Sequence, residues 1–243
     1  MKARTHVKRG AARRKGYIDH LEELRREIIS ILAFLALASV LSFLFMSIIM
    51  VFLQAPLAGT EITLNYFRPE EKFLVYLKTA LLSGIFFTVP FALFRFFAYI
   101  GPALKKNEKK FVYPSGILAA CMFYGGGFFA YKLIAPAAVF FFTTFAGGDN
   151  ISPVWGVGAW FDFISLIILG TGAAFTVPAI LLILIKTGII DAAALSRARP
   201  YFLIAVLAAS GLFSPPDIVS QLMLAVPLYI LFELTIAAGK RLR

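Results

Sequence analysis

From Ile28 onward the chain alternates between long apolar runs and short polar breaks, and the runs have the length of membrane spans. They read Ile28 to Val51, Phe73 to Phe97, Phe111 to Ile134, Trp160 to Ile185, Tyr201 to Phe213 and Val219 to Ala238. A helix needs about 20 mainly apolar residues to cross a hydrocarbon layer roughly 30 Å thick. Every run but the fifth is that long. With the turn at Ser214-Pro215-Pro216-Asp217, the last two runs predict a tight helical hairpin that tilts, thins the bilayer or stops short of one face. Pro90, Pro178 and Pro227 fall inside runs, where each is expected to kink its helix. The pattern therefore predicts an all-α polytopic membrane protein, a bent bundle of six transmembrane helices with a short last hairpin.

Ahead of the first run, residues 1–16 carry Lys2, Arg4, Lys8, Arg9, Arg13, Arg14 and Lys15 with no acidic residue, which predicts a basic, disordered cytoplasmic tail. Asp19 and Glu22 have the spacing of a capping box, so a helix is expected to begin near Tyr17. Residues 17–241 then form a single membrane domain. No small-residue cleavage site follows a short apolar core, so the start does not read as a cleavable signal peptide.

The charge distribution orients the bundle. One alternate set of segments holds the tail with Arg25 and Arg26, then Lys105, Lys106, Lys109 and Lys110, then Lys186, Arg197 and Arg199, then Lys240, Arg241 and Arg243. The other set holds only Arg68, Lys72 and Lys132. By the positive-inside rule both termini are expected in the cytoplasm, which requires an even number of spans. The outer loops, Gln54 to Phe67 and Ala137 to Trp160, carry apolar and turn residues rather than charge, the second with Phe140, Phe141, Phe142, Phe145, Trp155 and Trp160, and predict short interfacial helices and turns.

Composition agrees with this class and removes others. The 243 residues are 60% hydrophobic, against about 45–50% in soluble domains. The one cysteine, Cys121, lies mid-run and reads as a packing residue, so neither an intrachain disulfide nor a cysteine metal cluster is expected. Both histidines, His6 and His20, precede the spans, and no H-E-x-x-H, G-x-S-x-G or phosphate-loop motif occurs. An intramembrane enzyme is thus not supported, and no catalytic residue, metal or cofactor is expected. A small-solute transporter is the remaining alternative. It would show a charge cluster within the membrane or a repeated pair of broken helices. No internal repeat is read, and Lys78, Asp162 and Glu233 read as snorkelling or locally paired.

Short motifs carry a more specific reading. His20-Leu21-Glu22-Glu23-Leu24-Arg25 before the first run resembles the N-terminal HL-x-ELR signature of the TatC family. Ala55-Pro56-Leu57, Pro102-Ala103-Leu104 with Glu108, Ser214-Pro215-Pro216-Asp217 with Ser220-Gln221, and Pro227 with Phe232-Glu233 resemble its further landmarks in the same order. The resemblance covers Tyr17 to Arg241. It implies a receptor for signal peptides bearing an arginine pair, working in an oligomeric complex with TatA- and TatB-type single-span proteins in the inner membrane. The implied work is to move folded proteins using the proton-motive force, without nucleotide hydrolysis.

The resemblance also implies site residues. Glu23 and Glu108 match its signal-peptide-binding positions, Arg25 matches a further signature position, and Tyr99 stands where the family usually has phenylalanine. Carboxylates suit an arginine pair because guanidinium makes bidentate charge-assisted hydrogen bonds. Each residue has a plainer reading: Glu23 as a first-turn helix acid, Glu108 as a partner of Lys105 or Lys109. Asp217, Gln221, Thr176 and Pro56 are the polar or turn positions implied for partner contact and translocation, Asp217 reading equally well as a helix N-cap. In Phe175-Thr176-Val177-Pro178 a threonine stands where the family usually has a buried glutamate. It is expected to bond its own helix carbonyl, at far less cost than a charge at that depth.

Overall fold

In lipid a chain must satisfy its backbone polar groups internally, and an α-helix does so everywhere except at its ends. The computed structural model describes residues 3–100, 112–145, 154–213 and 218–241, with side chains over 21–99, 113–144, 154–212 and 218–241. Among these residues the helices are α1 (Ala3–Leu44), α2 (Met46–Gln54), α3 (Glu71–Ile100), α4 (Val112–Phe129), α5 (Ala135–Phe145), α6 (Val157–Lys186), α7 (Ala192–Arg197), α8 (Arg199–Phe213) and α9 (Ile218–Arg241). Five helical stretches have the length and composition to cross a membrane: Leu21–Leu44, Glu71–Tyr99, Tyr113–Thr144, Val157–Lys186 and Ile218–Arg241. Helix α8 coincides with the run expected to be short, and it falls below that length, as does the apolar stretch Met46–Leu57.

Helix α6 is the central post. It packs against α3, α4, α8 and α9, while α1 packs on α3 at the edge. Its buried side chains include Phe161, Ile164 and Ile167, which meet Leu224 and Leu228 of α9 in one apolar cluster. The outer helix α1 leaves Leu32, Leu37, Val40 and Leu44 exposed, as a lipid-facing helix does.

Four sequence expectations are corrected. Helix α1 begins at Ala3 rather than near Tyr17; the residues before Tyr17 include no proline and are mainly Ala, Lys and Arg, all good helix formers. The first apolar run is split at Phe45, whose φ of −98° and ψ of 20° turn α2 so that Met46, Met50 and Leu53 face the core. The third run does not stop at Ile134: a π-helical turn over Ala130–Ile134 leads into α5. The extra residue in that turn rotates the helix beyond it, and Tyr131, Ile134 and Ala135 lie in the core. The fold is all-α as expected, and one two-residue pairing adds to it: Leu64–Asn65 (β1) pairs in parallel with Trp155–Gly156 (β2) and joins the two outer loops. Cys121 is exposed on α4 rather than packed inside.

Candidate functional site

At the end of the bundle that carries β1 and β2, side chains close the helix termini. The last carbonyls of α2 are short of helical donors, and Phe52 O takes the Ala55 N–H of the C-cap. Tyr131 donates its hydroxyl to the Phe52 carbonyl at 2.7 Å, and the Trp160 indole N–H donates to Leu53 O at 3.2 Å. The Phe52 and Tyr131 rings stack at 4.2 Å. Pro56 sits half-buried in the 3₁₀ turn Ala55–Leu57 that ends this segment. Glu71, in the first turn of α3, accepts the Phe67 N–H at 2.7 Å and the Gly158 N–H at 3.2 Å. It therefore ties down the loop that leads into its own helix and, across the fold, caps the start of α6, whose N-cap Gly156 offers no side chain. A ring cluster of Phe142, Trp155, Trp160 and Phe163 fills the space beneath.

Half-way along, α4 and α6 meet at glycines. A Cβ at Gly126 would run into Phe175 and the Thr171 carbonyl, and one at Gly172 into Phe123. Thr176 is 4% exposed and donates its hydroxyl to the Gly172 carbonyl at 2.9 Å, as expected of it. Thr88 in α3 does the same to Gly84 at 2.7 Å and is also buried. The two lie in matching stretches, Gly84-Ile85-Phe86-Phe87-Thr88-Val89-Pro90 and Gly172-Ala173-Ala174-Phe175-Thr176-Val177-Pro178. This G-x-x-F-T-V-P repeat corrects the reading that no internal repeat is present.

In the last hairpin, Gln221 of α9 donates its amide to Leu207 O of α8 at 2.9 Å, joining the two helices. Asp217 lies outside the described residues. Arg199 and Glu233 form an ion pair at 2.7 Å between the start of α8 and the last turns of α9. Lys78 and Asp162 pair at 2.6 Å between α3 and α6. Both Lys78 and Glu233 are thus locally paired.

The opposite end of the bundle holds the implied recognition residues. Glu23 and Arg25 are exposed on α1. Two residues apart, they point to different sides of the helix, so the fold does not bring them together. Tyr99 is half-buried near the end of α3. Glu108 lies outside the described residues. Beside Glu23 is a pair that sequence reasoning missed: Arg95 Nε lies against Glu27 Oε2, with Arg95 Cζ 5.9 Å from the Phe91 ring centre. The signal for it was Arg95 alone, a charge inside an apolar run. Glu71 was missed for the opposite reason, as one acid among several in a polar loop. Among the described residues no group of His, Cys, Asp and Glu is placed to hold a metal ion. What the site offers is carboxylates one helical turn apart on α1, beside α3, where they can hold guanidinium groups.

The fold and these ends define a polytopic helical membrane protein with carboxylates on α1 beside α3 at one end and helix termini tied by hydrogen bonds at the other. The family profile described as "Sec-independent protein translocase protein (TatC)" matches residues 19–227. The chain is 33% identical over 229 residues to the Sec-independent protein translocase protein TatC of Haemophilus influenzae, covering 92% of this chain and 88% of that protein. It is 36% identical over 215 residues to an uncharacterized tatC-like protein, ycf43, of Pyropia yezoensis, covering 88% and 84%. A crystal structure described as that of the twin arginine translocase receptor TatC in DDM superposes with a TM-score of 0.80 at 27% identity, covering 90% of this chain and 99% of the other. The chain belongs to the TatC family of protein translocase components.

Proposed function

We propose that the chain is the signal-peptide receptor and core subunit of a twin-arginine translocase in the cytoplasmic membrane. In this reading it has six spans, α8 being the short one, and both termini lie in the cytoplasm. Arginine-pair signal peptides dock at the α1–α3 end, single-span TatA- and TatB-type proteins assemble beside the bundle, and the proton-motive force drives transfer of folded cargo. The observation that carries the reading is the placement of Glu23 on an exposed turn of α1 beside the end of α3, in a chain whose relative of known structure is described as the twin arginine translocase receptor. Glu23 and Glu108 take the arginines, Tyr99 lies against the peptide, and Arg25 supports the α1 end. Asp217, Gln221, Thr176 and Pro56 are the positions through which partners and translocation act. Gln221 and Thr176 are already bonded within the fold, so their part is to hold α8, α9 and α6 in the shape a partner meets.

The test is binding of a labelled arginine-pair peptide to the solubilised full chain, beside a peptide carrying two lysines. The parent prefers the arginine peptide. Glu23→Gln weakens it roughly tenfold or more, the cost of removing one carboxylate from a partly desolvated pair with arginine, while Glu22→Gln changes it little. Equal binding of the two peptides by the parent, together with unchanged binding by Glu23→Gln, would refute the receptor reading.

A further inference from the structure

Helices α1 and α3 run antiparallel in a regular register. Ser39 meets Gly84, Phe34 stacks on Phe91 at 4.5 Å, and Glu27 meets Arg95. Continuing one turn toward the helix ends brings Glu23 level with Tyr99, since each lies four residues beyond its neighbour in the ladder. Glu23 and Glu27 thus occupy one face of α1, about 6 Å apart along the axis. Glu27 is the inner of the two, half-buried where Glu23 is exposed, with its side chain 20% exposed.

The closest approach between Glu27 and Arg95, Arg95 Nε to Glu27 Oε2, is a charge contact without hydrogen-bond alignment. Neither Glu27 Oε2 nor Arg95 Nε makes a hydrogen bond in the fold, although both atoms are buried. An arginine that offers its fork of N–H groups to Glu27 in line would therefore bind it better than Arg95 does. The carboxylate already selects a guanidinium, the same chemical group that an arginine-bearing peptide brings. Arg95 is tethered beside it on α3, with the Phe91 ring close to its guanidinium.

We infer that Glu27 is a further arginine-binding carboxylate on the α1 face beside α3, and that Arg95 is its resident competitor, a specificity-determining residue that an incoming peptide arginine displaces. This rests on the receptor reading above. Displacement moves no covalent bond: one guanidinium leaves Glu27 and another takes its place. It filters ligands, because a lysine ammonium lacks the planar fork needed to outcompete a tethered guanidinium. The resident charge also repels any cation arriving at Glu27, so occupancy by Arg95 sets the threshold for binding.

The experiment compares arginine-pair and lysine-pair peptides on the solubilised full chain carrying Arg95→Gln, Glu27→Gln, both together, and Arg95→Lys, each checked for parental thermal stability. Arg95→Gln should bind the arginine peptide roughly three- to tenfold tighter, the scale of one like charge removed at a half-exposed site. It should also narrow the preference for arginine over lysine. Glu27→Gln should weaken binding, and in the double variant the gain from Arg95→Gln should vanish. Arg95→Lys keeps the charge but not the fork, so its affinity should fall between parent and Arg95→Gln; it serves if Arg95→Gln does not fold. Unchanged or weaker binding by folded Arg95→Gln, or a gain that persists without Glu27, would overturn the inference while a loss in Glu23→Gln left the receptor reading standing. A parent that binds both peptides alike, with Glu23→Gln unchanged, would overturn both.

Discussion

Gly126 and Gly125 are neighbours on α4, and their substitution by alanine should move stability in opposite directions. A Cβ at Gly126 would lie 2.7 Å from Phe175 Cβ and 2.8 Å from the Thr171 carbonyl oxygen, whereas one at Gly125 meets nothing within 4 Å. Neither obstacle at Gly126 is a flexible tip: one atom is fixed to the α6 backbone and the other belongs to it. Helices α4 and α6 must then part by several tenths of an ångström. They cannot do so locally, because a Cβ at Gly172 would itself stand only 3.0 Å from the Phe123 carbonyl on the facing side. Overpacking of this kind costs about 1–3 kcal/mol, and small residues at such crossings are what let membrane helices approach. Replacing glycine inside a helix returns roughly 0.5–1 kcal/mol. Gly126→Ala should therefore lose about 1–2 kcal/mol, and Gly125→Ala should gain up to about 1 kcal/mol. Denaturant-induced unfolding in a fixed detergent, with tryptophan fluorescence as the readout, measures both. Equal stabilities for the two variants would refute the close-crossing argument, since they share helix, chemistry and propensity and differ only in what the methyl group meets.

Charge placement gives two more expected outcomes. Lys78→Met should destabilise more than Asp162→Leu, because a lone lysine can extend its stem to the interface while a lone aspartate cannot; the double variant should return close to the parent, and simple additivity of thermal shifts would remove the idea that the 2.6 Å pair is coupled. In the proposed orientation, reporters fused after Arg243 and inserted near Asn107 should be cytoplasmic and one near Gly148 outside, so finding the Asn107 and Gly148 reporters on one side would sink the six-span arrangement.

The apolar runs made the helices legible because hydrophobicity acts over about 20 residues at a time, and a one-residue error leaves the run intact. The short α8 and the local pairing of Lys78 and Glu233 were legible for a related reason: a charge in an apolar run must find a partner or the surface. Phe45 and the π turn at Ala130–Ile134 were not, since each is a shift of one residue inside an unbroken apolar stretch. Nor was the pairing of β1 with β2, because two residues on each strand leave no periodicity to read. Arg95 was overlooked because its partner Glu27 lies on a different helix, far earlier in the chain, and no local spacing links them. The G-x-x-F-T-V-P repeat was hidden by its brevity against a background of Phe, Val and Ala. Of the implied site, Glu23, Arg25 and Tyr99 could be placed by the fold, while Glu108 and Asp217 fall outside the described residues.

That repeat ties the two ends of the molecule together. Pro90 and Pro178 carry no N–H, so each leaves a carbonyl four residues earlier without its helical donor. The threonine two residues before each proline bonds the carbonyl of the glycine that opens the motif, an arrangement that bends helices. The same glycines admit the neighbouring helix, Gly84 receiving Ser39 of α1 and Gly172 receiving Phe123 of α4. Each motif therefore makes one point of a long helix both bendable and closely packed. Between α3 and α6 at this depth lies an apolar hollow of about 220 Å³, bordered by Phe86 and Phe87 on one side and Ile168 and Leu169 on the other. Toward β1 and β2, Glu71, Tyr131 and Trp160 fix the ends of α2, α3 and α6 through hydrogen bonds. Toward the start of α1, the corresponding link is Glu27 with Arg95, a charge contact without hydrogen-bond alignment. The end that carries β1 and β2 is fixed by directed bonds that resist exchange, whereas the Glu27–Arg95 contact is the place where, on the inference above, a ligand bearing guanidinium groups replaces an internal contact without breaking the fold.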